Sequence, residues 1–405
     1  MKNIQSLRGM NDIHGEISEK FIYIISVAEK VAKRYGFQYL ETPLLEETAL
    51  FKRSVGESSD IVGKEMYQFT DKGGNDVSLR PEGTAGVVRS FIQNKFDKRG
   101  GKEKVFYHGA MFRYERPQKG RLRLFHQFGC ESFGESSVFE DVSIILMIKD
   151  IFDELGIGFK LKINSLGCSE CMPKYRENLS EFLETKKENL CSDCHRRIET
   201  NPIRTLDCKV EKCQNELSDA PKIADNLCES CDTDFETLKR VLEKSNVEFE
   251  EDKNLVRGLD YYTKTAFEFV SNEIGSQNAI AGGGRYDRLV EFLGGKETPA
   301  VGFALGIERI LDLVKIPEIE KEGYYFGVLD EKDFEKLYIL ASEKRQNKKV
   351  YIEMKKRSLN KHLQNADKLG FRFCAILGSD EIENGTIWVR DLQNGNDETF
   401  SQDSF

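Results

Sequence analysis

The chain has 405 residues, 39% of them hydrophobic and 32% charged, and a formal net charge of −9. That length can bury a large core and suggests two or three domains. The acidic balance excludes a general cationic coat for nucleic acid, so the ten Lys/Arg against three Asp/Glu between residues 95 and 123 mark a local polyanion site. The opening "MKNIQSLRGMNDIHGE" lacks a signal-peptide core, and no run reaches the ~18 apolar residues of a membrane helix. We therefore expect a cytoplasmic protein with no membrane partner, in which the ten cysteines are thiols or metal ligands.

In chain order, "EKFIYIISVAEKVAKRYG" sets Phe21, Ile24, Ile25, Ala28, Val31, Ala32 and Tyr35 at helical spacing and closes at Gly36. Strand-like pieces follow at "FQYLETP", "EMYQFTD", "VSLRPEG", "KVFYHGAMFRYE", "RLFHQFGCESFG" and "LVRGLDYYTKTAFEFV". Short turns between several of them favour an antiparallel sheet in an α+β fold over a string of βαβ units. Residues 168–245 are polar, cysteine-rich and read as a helical insertion between sheet strands. Past residue 322, "YYFGVL", a helix from Asp333, "KKVYIEM", a helix from Ser358 to Gly370, "FCAILG" and "TIWVRDL" read as a small α/β domain. The expected domains are thus 1–322, carrying the insertion, and 323–405. Asp397 and Glu398 read as a solvated acidic surface.

The insertion holds four close cysteine pairs. Cys168 and Cys171 are separated by nineteen residues from Cys191 and Cys194, and Cys208 and Cys213 by fourteen from Cys228 and Cys231. Eight thiols can make two four-cysteine structural Zn2+ sites, with the partners among the pairs left open. The competing reading is eight small buried hydrophobes.

Four stretches concentrate polar chemistry. In "MFRYERPQKGRLRLFHQFGCESFG", a regular strand over 122–133 puts Phe125, Gln127, Gly129 and Glu131 on one face, with Arg113 near. In "PAVGFALGIERILDLV", Gly302 and Gly306 precede a helix whose start, with Arg309 in its first turn, would suit phosphate. "AIAGGGRYDRL" fits neither a phosphate loop nor a dinucleotide fingerprint, and reads as a strand pressed against a ligand. "SLRPEGTAGVVRS" lifts Glu82 and Thr84 on a turn into a helix. Three of them have a plain structural alternative: a hairpin with a basic tip for the first, a packing helix for the second and a turn for the last.

Together these stretches resemble the class II aminoacyl-tRNA synthetases, and specifically the bacterial histidyl-tRNA synthetases. "GFQYLETPLLE" with Pro43, "FRYERPQKGRLRLFHQFGCE" and "GFALGIERI" are similar to the three class motifs, while "RGLDYYT" and "AGGGRYD" are similar to the histidine-specific signatures. The resemblance implies a homodimer that activates L-histidine with ATP and Mg2+ and transfers it to tRNA(His). It implies ATP contacts from Arg113 (α-phosphate), Arg309 (γ-phosphate), Phe125 (adenine face), Glu115 (adenine amino group) and Arg121. Around histidine it implies Glu82, Thr84 and Gln127 at the α-amino group, and Glu131, Tyr262 and Tyr286 at the imidazole. Arg257 would lie between the carboxylate and the α-phosphate, with Tyr261 beside it. Arg116 and Gln118 would touch the tRNA acceptor end, and residues 323–405 would read the anticodon. Zinc is not part of what the resemblance implies. Two other readings share the fold: a regulatory subunit of ATP phosphoribosyltransferase, and a sensor domain of a kinase, of which no signature is present.

Overall fold

The computed structural model describes every residue except 1–2, 57–58, 60, 99–101, 119, 209, 257–260, 275–277, 318–320 and 404. The chain divides into two compact units, Met1–Lys315 and Ile316–Phe405.

The first unit opens with α1 (Glu16–Arg34), acidic in its first turn and basic in its last, as the helix dipole favours; it buries Ile24, Val27, Ala28, Val31 and Ala32. Strands β1 (Gln38–Tyr39) and β2 (Leu45–Glu47), helix α2 (Thr48–Val55), strands β3 (Gln68–Thr70) and β4 (Asp76–Leu79), and helix α3 (Thr84–Gln93) follow. β2, β4 and β3 form a small antiparallel sheet that delivers Glu82 to the start of α3. Next come the ten-residue strands β5 (Glu103–Phe112) and β6 (Leu124–Phe133), then α4 (Val138–Leu155) and β7 (Lys160–Ser165). The insertion contributes α5 (Met172–Lys186), α6 (Ser192–Thr200), α7 (Glu211–Glu216) and α8 (Glu229–Lys244). The unit ends with β8 (Phe249–Glu251), β9 (Thr263–Val270), β10 (Ala279–Arg285), α9 (Leu289–Phe292), β11 (Ala300–Gly306) and α10 (Ile307–Ile310).

Eight strands make the main sheet, in the order β1-β5-β6-β11-β10-β9-β7-β8. The six central strands are antiparallel to their neighbours, and β1 and β8 join the edges in parallel. Alternation divides the side chains between two faces. Phe128, Cys130, Phe267, Phe269, Phe303 and Leu305 pack with α1, α4 and α8 in the largest core. Phe125, Gln127, Gly129 and Glu131 take the other face. Helix α4 is apolar around most of its circumference, which suits a central position and erases the stripe that marks a surface helix.

Two local expectations change. Among the described residues the strand read through "LVRGLDYYT" begins at Thr263, and just inside it Lys264 takes φ +48° and the ladder to β10 breaks register at Arg285. Tyr261 and Tyr262 therefore stand just ahead of β9. Gly302 and Gly306 lie within β11, and the helix after them is a single turn, too short for the phosphate seat that its start suggested.

The second unit contains β12 (Tyr324–Val328), α11 (Phe334–Arg345), β13 (Val350–Ile352), α12 (Leu359–Lys368), β14 (Phe373–Leu377), α13 (Ser379–Glu383), β15 (Thr386–Asp391) and β16 (Asp397–Ser401). Its strand order is β13-β12-β14-β15-β16, with parallel pairs at β12 and antiparallel pairs from β14 onward. The segment holding Asp397 and Glu398 is exposed, as read, but it is an edge strand, and Asp397 binds Arg390 Nε at 2.6 Å and a second guanidinium nitrogen at 2.8 Å. Among the described residues no helix is long and apolar enough to cross a membrane.

Candidate active site

A cavity of about 230 Å³ opens on the face of the main sheet opposite the helices. Its floor is the β6/β11 pair, on which Gln127 lies opposite Gly306, Gly129 opposite Ala304 and Glu131 opposite Gly302. From Phe125 to Glu131 the strand runs six residues, or about 20 Å. The two ends of that run differ in chemistry.

At the Phe125 end the wall is cationic. Arg113, Arg121 and Arg309 all line the cavity. The Arg113 guanidinium sits 5.3 Å from the Phe125 ring centre, and its Nε donates to Pro81 O at 2.9 Å. Arg309 donates from Nε to Gly120 O at 3.2 Å and from a terminal nitrogen to Ala279 O at 2.8 Å. Burial, then the charges of Arg121 and Arg113, pulls the Arg309 guanidinium below the usual arginine range. Three guanidinium groups that repel one another around a hollow form a seat for a polyanion, and their planar forks suit phosphate oxygens. Glu115 pairs with Arg121 at 3.2 Å on the same wall. Arg116 and Gln118 are exposed on the adjoining loop, where Gln118 and Arg121 exchange backbone hydrogen bonds of 3.0 and 2.9 Å.

At the Glu131 end the wall is a buried hydroxyl and carboxylate cluster. Glu82 accepts from the backbone N–H of Thr84 at 2.7 Å and of Ala85 at 2.9 Å, tying it to the first turn of α3. Burial pushes its carboxyl up, partly offset by those two donors. Glu131 accepts from Thr84 Oγ1 at 2.7 Å, Tyr107 Oη at 3.3 Å and Tyr286 Oη at 2.5 Å. Burial pushes its carboxyl up to about 8 against the pull of those hydroxyls. Glu131 and Tyr286 stand behind the cavity wall, while Glu82, Thr84, Tyr107, Tyr261 and Tyr262 line it. The sheet makes room by omitting side chains: a Cβ on Gly302 would overlap Glu131 Oε2, and one on Gly129 would collide with the Tyr107 ring. The space at Gly302 is thus filled by Glu131.

Besides Glu115 Oε2 and Arg121 Nε on the cationic wall, two buried polar atoms on this cavity find no hydrogen-bond partner among the described residues, Gln127 Oε1 and Tyr261 Oη. Such atoms cost stability unless a ligand meets them. One is an acceptor, and the other both donates and accepts. Tyr261 and Tyr262 stack obliquely at 4.7 Å and meet Tyr286 edge-on at 5.6 and 6.5 Å, forming an aromatic corner around the polar end.

The structure therefore brings Arg113, Glu115, Arg121, Phe125, Gln127, Arg309, Glu82, Thr84, Tyr261 and Tyr262 to one cavity. Arg257 lies outside the described residues. Arg285, in the same glycine-rich stretch as Tyr286, turns away and is locked in the core by Asp141 at 2.8 Å, Glu135 O at 2.9 Å and Asp287 at 3.1 Å. The sequence reading missed Tyr107, Glu268 and Glu308, which also line the cavity. Tyr107 lies directly opposite Gly129 in the β5/β6 hairpin, a register that strand alternation alone does not give. Glu308 is held by His126, through the backbone N–H at 2.8 Å and Nδ1 at 2.7 Å, a pairing no local pattern announces.

Residues 9–310 match the histidyl-tRNA synthetase family profile, and residues 328–405 match that of the anticodon binding domain. The chain is 62% identical over 402 residues to the histidine–tRNA ligase of Sulfurimonas denitrificans, spanning 99% of this chain and all of that protein. It is 61% identical over 390 residues to the histidine–tRNA ligase of a Sulfurovum species, spanning 96% and 97% of the two chains. Among solved structures, the apo histidyl-tRNA synthetase of S. aureus aligns with a TM-score of 0.83 at 33% identity, over 99% of this chain and 98% of that one. With the antiparallel sheet, the two-ended cavity and these relatives in agreement, the chain belongs to the histidyl-tRNA synthetase family of class II ligases.

Proposed function

We infer that the chain activates L-histidine with ATP and passes the histidyl group to tRNA(His). The observation that carries this is the single cavity with a three-arginine end and a buried polar, aromatic end, about one strand length apart. ATP phosphates suit the first, and a small zwitterion with a polar ring suits the second. Relatives named as ligases at 61–62% identity favour this reading over a regulatory subunit.

In this reading Arg113 holds the α-phosphate, Arg309 the γ-phosphate, Phe125 stacks on adenine, Glu115 meets its amino group and Arg121 adds charge. Glu82, Thr84 and Gln127 surround the α-amino group. Tyr262, with Glu131 and Tyr286 behind the wall, meets the imidazole, and the unpartnered Tyr261 hydroxyl faces the same ligand. Arg257 is assigned from the resemblance alone, between the histidine carboxylate and the α-phosphate. The carboxylate oxygen attacks the α-phosphorus, the bond to the bridging oxygen breaks, and pyrophosphate leaves with that electron pair. Positioning and fixed guanidinium charge lower the barrier. Glu268 and Glu308 put carboxylate oxygens, the donors that Mg2+ takes, on the wall beside the arginines. Bound there with ATP, the ion would screen phosphate charge.

Arg116 and Gln118, exposed beside the cavity, are assigned to the acceptor end of tRNA, and the second unit to the anticodon loop, whose unstacked bases suit a separate small domain. A homodimer is supported by Tyr39, Leu44 and Leu45, large apolar side chains 45–48% exposed on the segment around Pro43. We place the enzyme in the cytoplasm. Pyrophosphate exchange with each amino acid in turn, followed by charging of tRNA(His), tests the function: histidine alone should support both, and exchange without histidine dependence would refute it. Light scattering at twice the chain mass is expected for the dimer.

A further inference from the structure

The eight cysteines of the insertion gather into two sets of four. Cys168, Cys171, Cys228 and Cys231 form one, and Cys191, Cys194, Cys208 and Cys213 the other, with the sulfurs of each set within 4.8 Å of one another. The first cysteine pair thus meets the last, and the second meets the third, so one site encloses the other along the chain. We propose that these sets bind two structural zinc ions as nested tetrathiolate sites that staple the insertion.

The spacing identifies the chemistry. Four thiolates around zinc at about 2.3 Å in a tetrahedron lie about 3.8 Å apart. Cys168 Sγ is 3.8 Å from Cys171 Sγ and 3.7 Å from Cys228 Sγ, and Cys191 Sγ is 3.9 Å from Cys208 Sγ. A disulfide would need about 2.05 Å. An iron–sulfur cluster places several irons and sulfides among its thiolates and needs a wider ring of cysteines. Hard cations take oxygen donors, and four sulfurs in a tetrahedron suit zinc.

The surroundings are those of bound thiolates. The backbone N–H of Cys228 donates to Cys171 Sγ at 3.1 Å, that of Cys191 to Cys213 Sγ at 3.2 Å, and that of Glu170 to Cys168 Sγ at 3.4 Å. Two of these bonds join the partner pairs of a set, so the backbone is already folded around the ligand positions. Cys228 and Cys191 also cap α8 and α6, where the helix dipole favours a thiolate.

Packing supplies the need. Between residues 168 and 231 the apolar core is built around Tyr175, Leu179, Leu183, Leu190, Ile198 and Leu217, and five of the eight cysteines are buried among them. A unit of that size seldom holds together on its apolar core alone. Were the cysteines only small hydrophobes, nothing would require all eight sulfurs to converge on two points.

The full-length protein, purified and passed through EDTA to remove loose metal, is analysed for metal and by X-ray absorption. Two zinc ions per chain, each with four sulfurs at about 2.3 Å, are expected. Fewer than two, or iron in their place, overturns the proposal. For the nesting, Cys171→Ser/Cys231→Ser should retain one zinc and Cys171→Ser/Cys194→Ser none. The opposite result would mean sequential pairing and overturn the nested assignment. Should either variant fail to fold, partial metal release from the wild type with alkylation decides the same point by top-down mass spectrometry. Molecules with four labels should carry them on Cys168, Cys171, Cys228 and Cys231 or on Cys191, Cys194, Cys208 and Cys213, and any other grouping overturns the pairing.

Discussion

The sheet cavity and the cysteine insertion solve opposite problems. In the cavity, a ladder of six antiparallel strands over a large apolar core fixes the backbone, and the surplus rigidity is spent on polar atoms left without partners, Gln127 Oε1 and Tyr261 Oη. In the insertion, short helices with a thin core bring buried sulfurs to face one another. The first region should keep its shape when its ligand leaves. The second should lose it. Polar groups that face empty space mark a site for a substrate, whereas polar groups that converge mark a site for a permanent ligand.

The widest gap between the two regions should appear on metal removal. Structural zinc in small domains is worth about 10–16 kcal/mol of apparent folding free energy, so stripping it from the full chain should raise proteolytic cleavage within residues 168–231 by orders of magnitude. Strands β5, β6 and β11 should keep their slow amide exchange. Helix α8 is shared, since Phe235, Leu238 and Leu242 belong to the main core, and its second half should stay protected. Exchange that rises equally in sheet and insertion would end the contrast.

Next in size is Arg113→Lys, which keeps a cation but removes the fork that suits phosphate. We expect adenylate formation to fall by about 10²- to 10³-fold, the usual loss for one transition-state donor, with thermal stability and zinc content unchanged. Single-turnover pyrophosphate release measures the first and calorimetry the second. A large stability loss with normal turnover per folded molecule would make Arg113 a scaffold residue, tied to Pro81 O rather than to substrate.

Measured above pH 8, where Glu131 is ionised, Glu131→Gln is expected to weaken histidine binding by about 1.5–3 kcal/mol, the range for hydrogen bonds to a charged group, leaving the KM for ATP nearly unchanged. The effect passes through Thr84, Tyr107 and Tyr286, whose hydroxyls Glu131 holds. Its carboxyl also has a signature in pH. With a folded value raised from 4.5 to about 8, the folded protein retains a proton that the unfolded chain has released, so this group's contribution to stability is present below pH 4.5 and declines as pH rises toward 8. Melting temperatures of the wild type relative to Glu131→Gln should fall across that window. A flat difference would mean that Glu131 is ionised throughout.

How much of this was legible beforehand follows the same division. Alternation in "LFHQFGCESF" placed Phe125, Gln127, Gly129 and Glu131 on one face, because the period of two is a local property of a strand. Tyr107 was missed because its role depends on hairpin register, which joins it to Gly129 across the sheet. Helix α4 left no stripe to read, being apolar nearly all round. The cysteine spacing revealed four pairs but not their partners, since which pair meets which depends on the path of α5, α6 and α7 between them. Tyr261 and Tyr262 were read into a strand that starts after them, and the irregular start of that strand, where the Lys264 N–H donates to Gly167 O at 2.7 Å, involves a partner far away in sequence.

The smallest expected effect concerns one oxygen. Tyr261 is 3% exposed, lines the cavity and finds no hydrogen-bond partner for its hydroxyl among the described residues. If that hydroxyl waits for histidine, Tyr261→Phe should fold at least as well as the wild type, since an unsatisfied buried polar group costs about 1–3 kcal/mol and the ring packing against Tyr262 and Tyr286 is retained. The melting temperature of the ligand-free protein should hold or rise by a few degrees at most, since the shift is about 2–4 °C per kcal/mol for 150–250 residues and smaller for a longer chain. At the same time the KM for histidine should increase about tenfold while that for ATP stays put, as expected when one neutral hydrogen bond to the substrate is lost. Opposite signs in stability and affinity from a single atom are what a ligand site predicts and a structural hydrogen bond does not. If Tyr261→Phe instead lowers the melting temperature and leaves histidine binding untouched, the hydroxyl serves the fold, and the cavity's polar end reads its ligand through the other residues there, Glu82, Thr84, Gln127 and Tyr262.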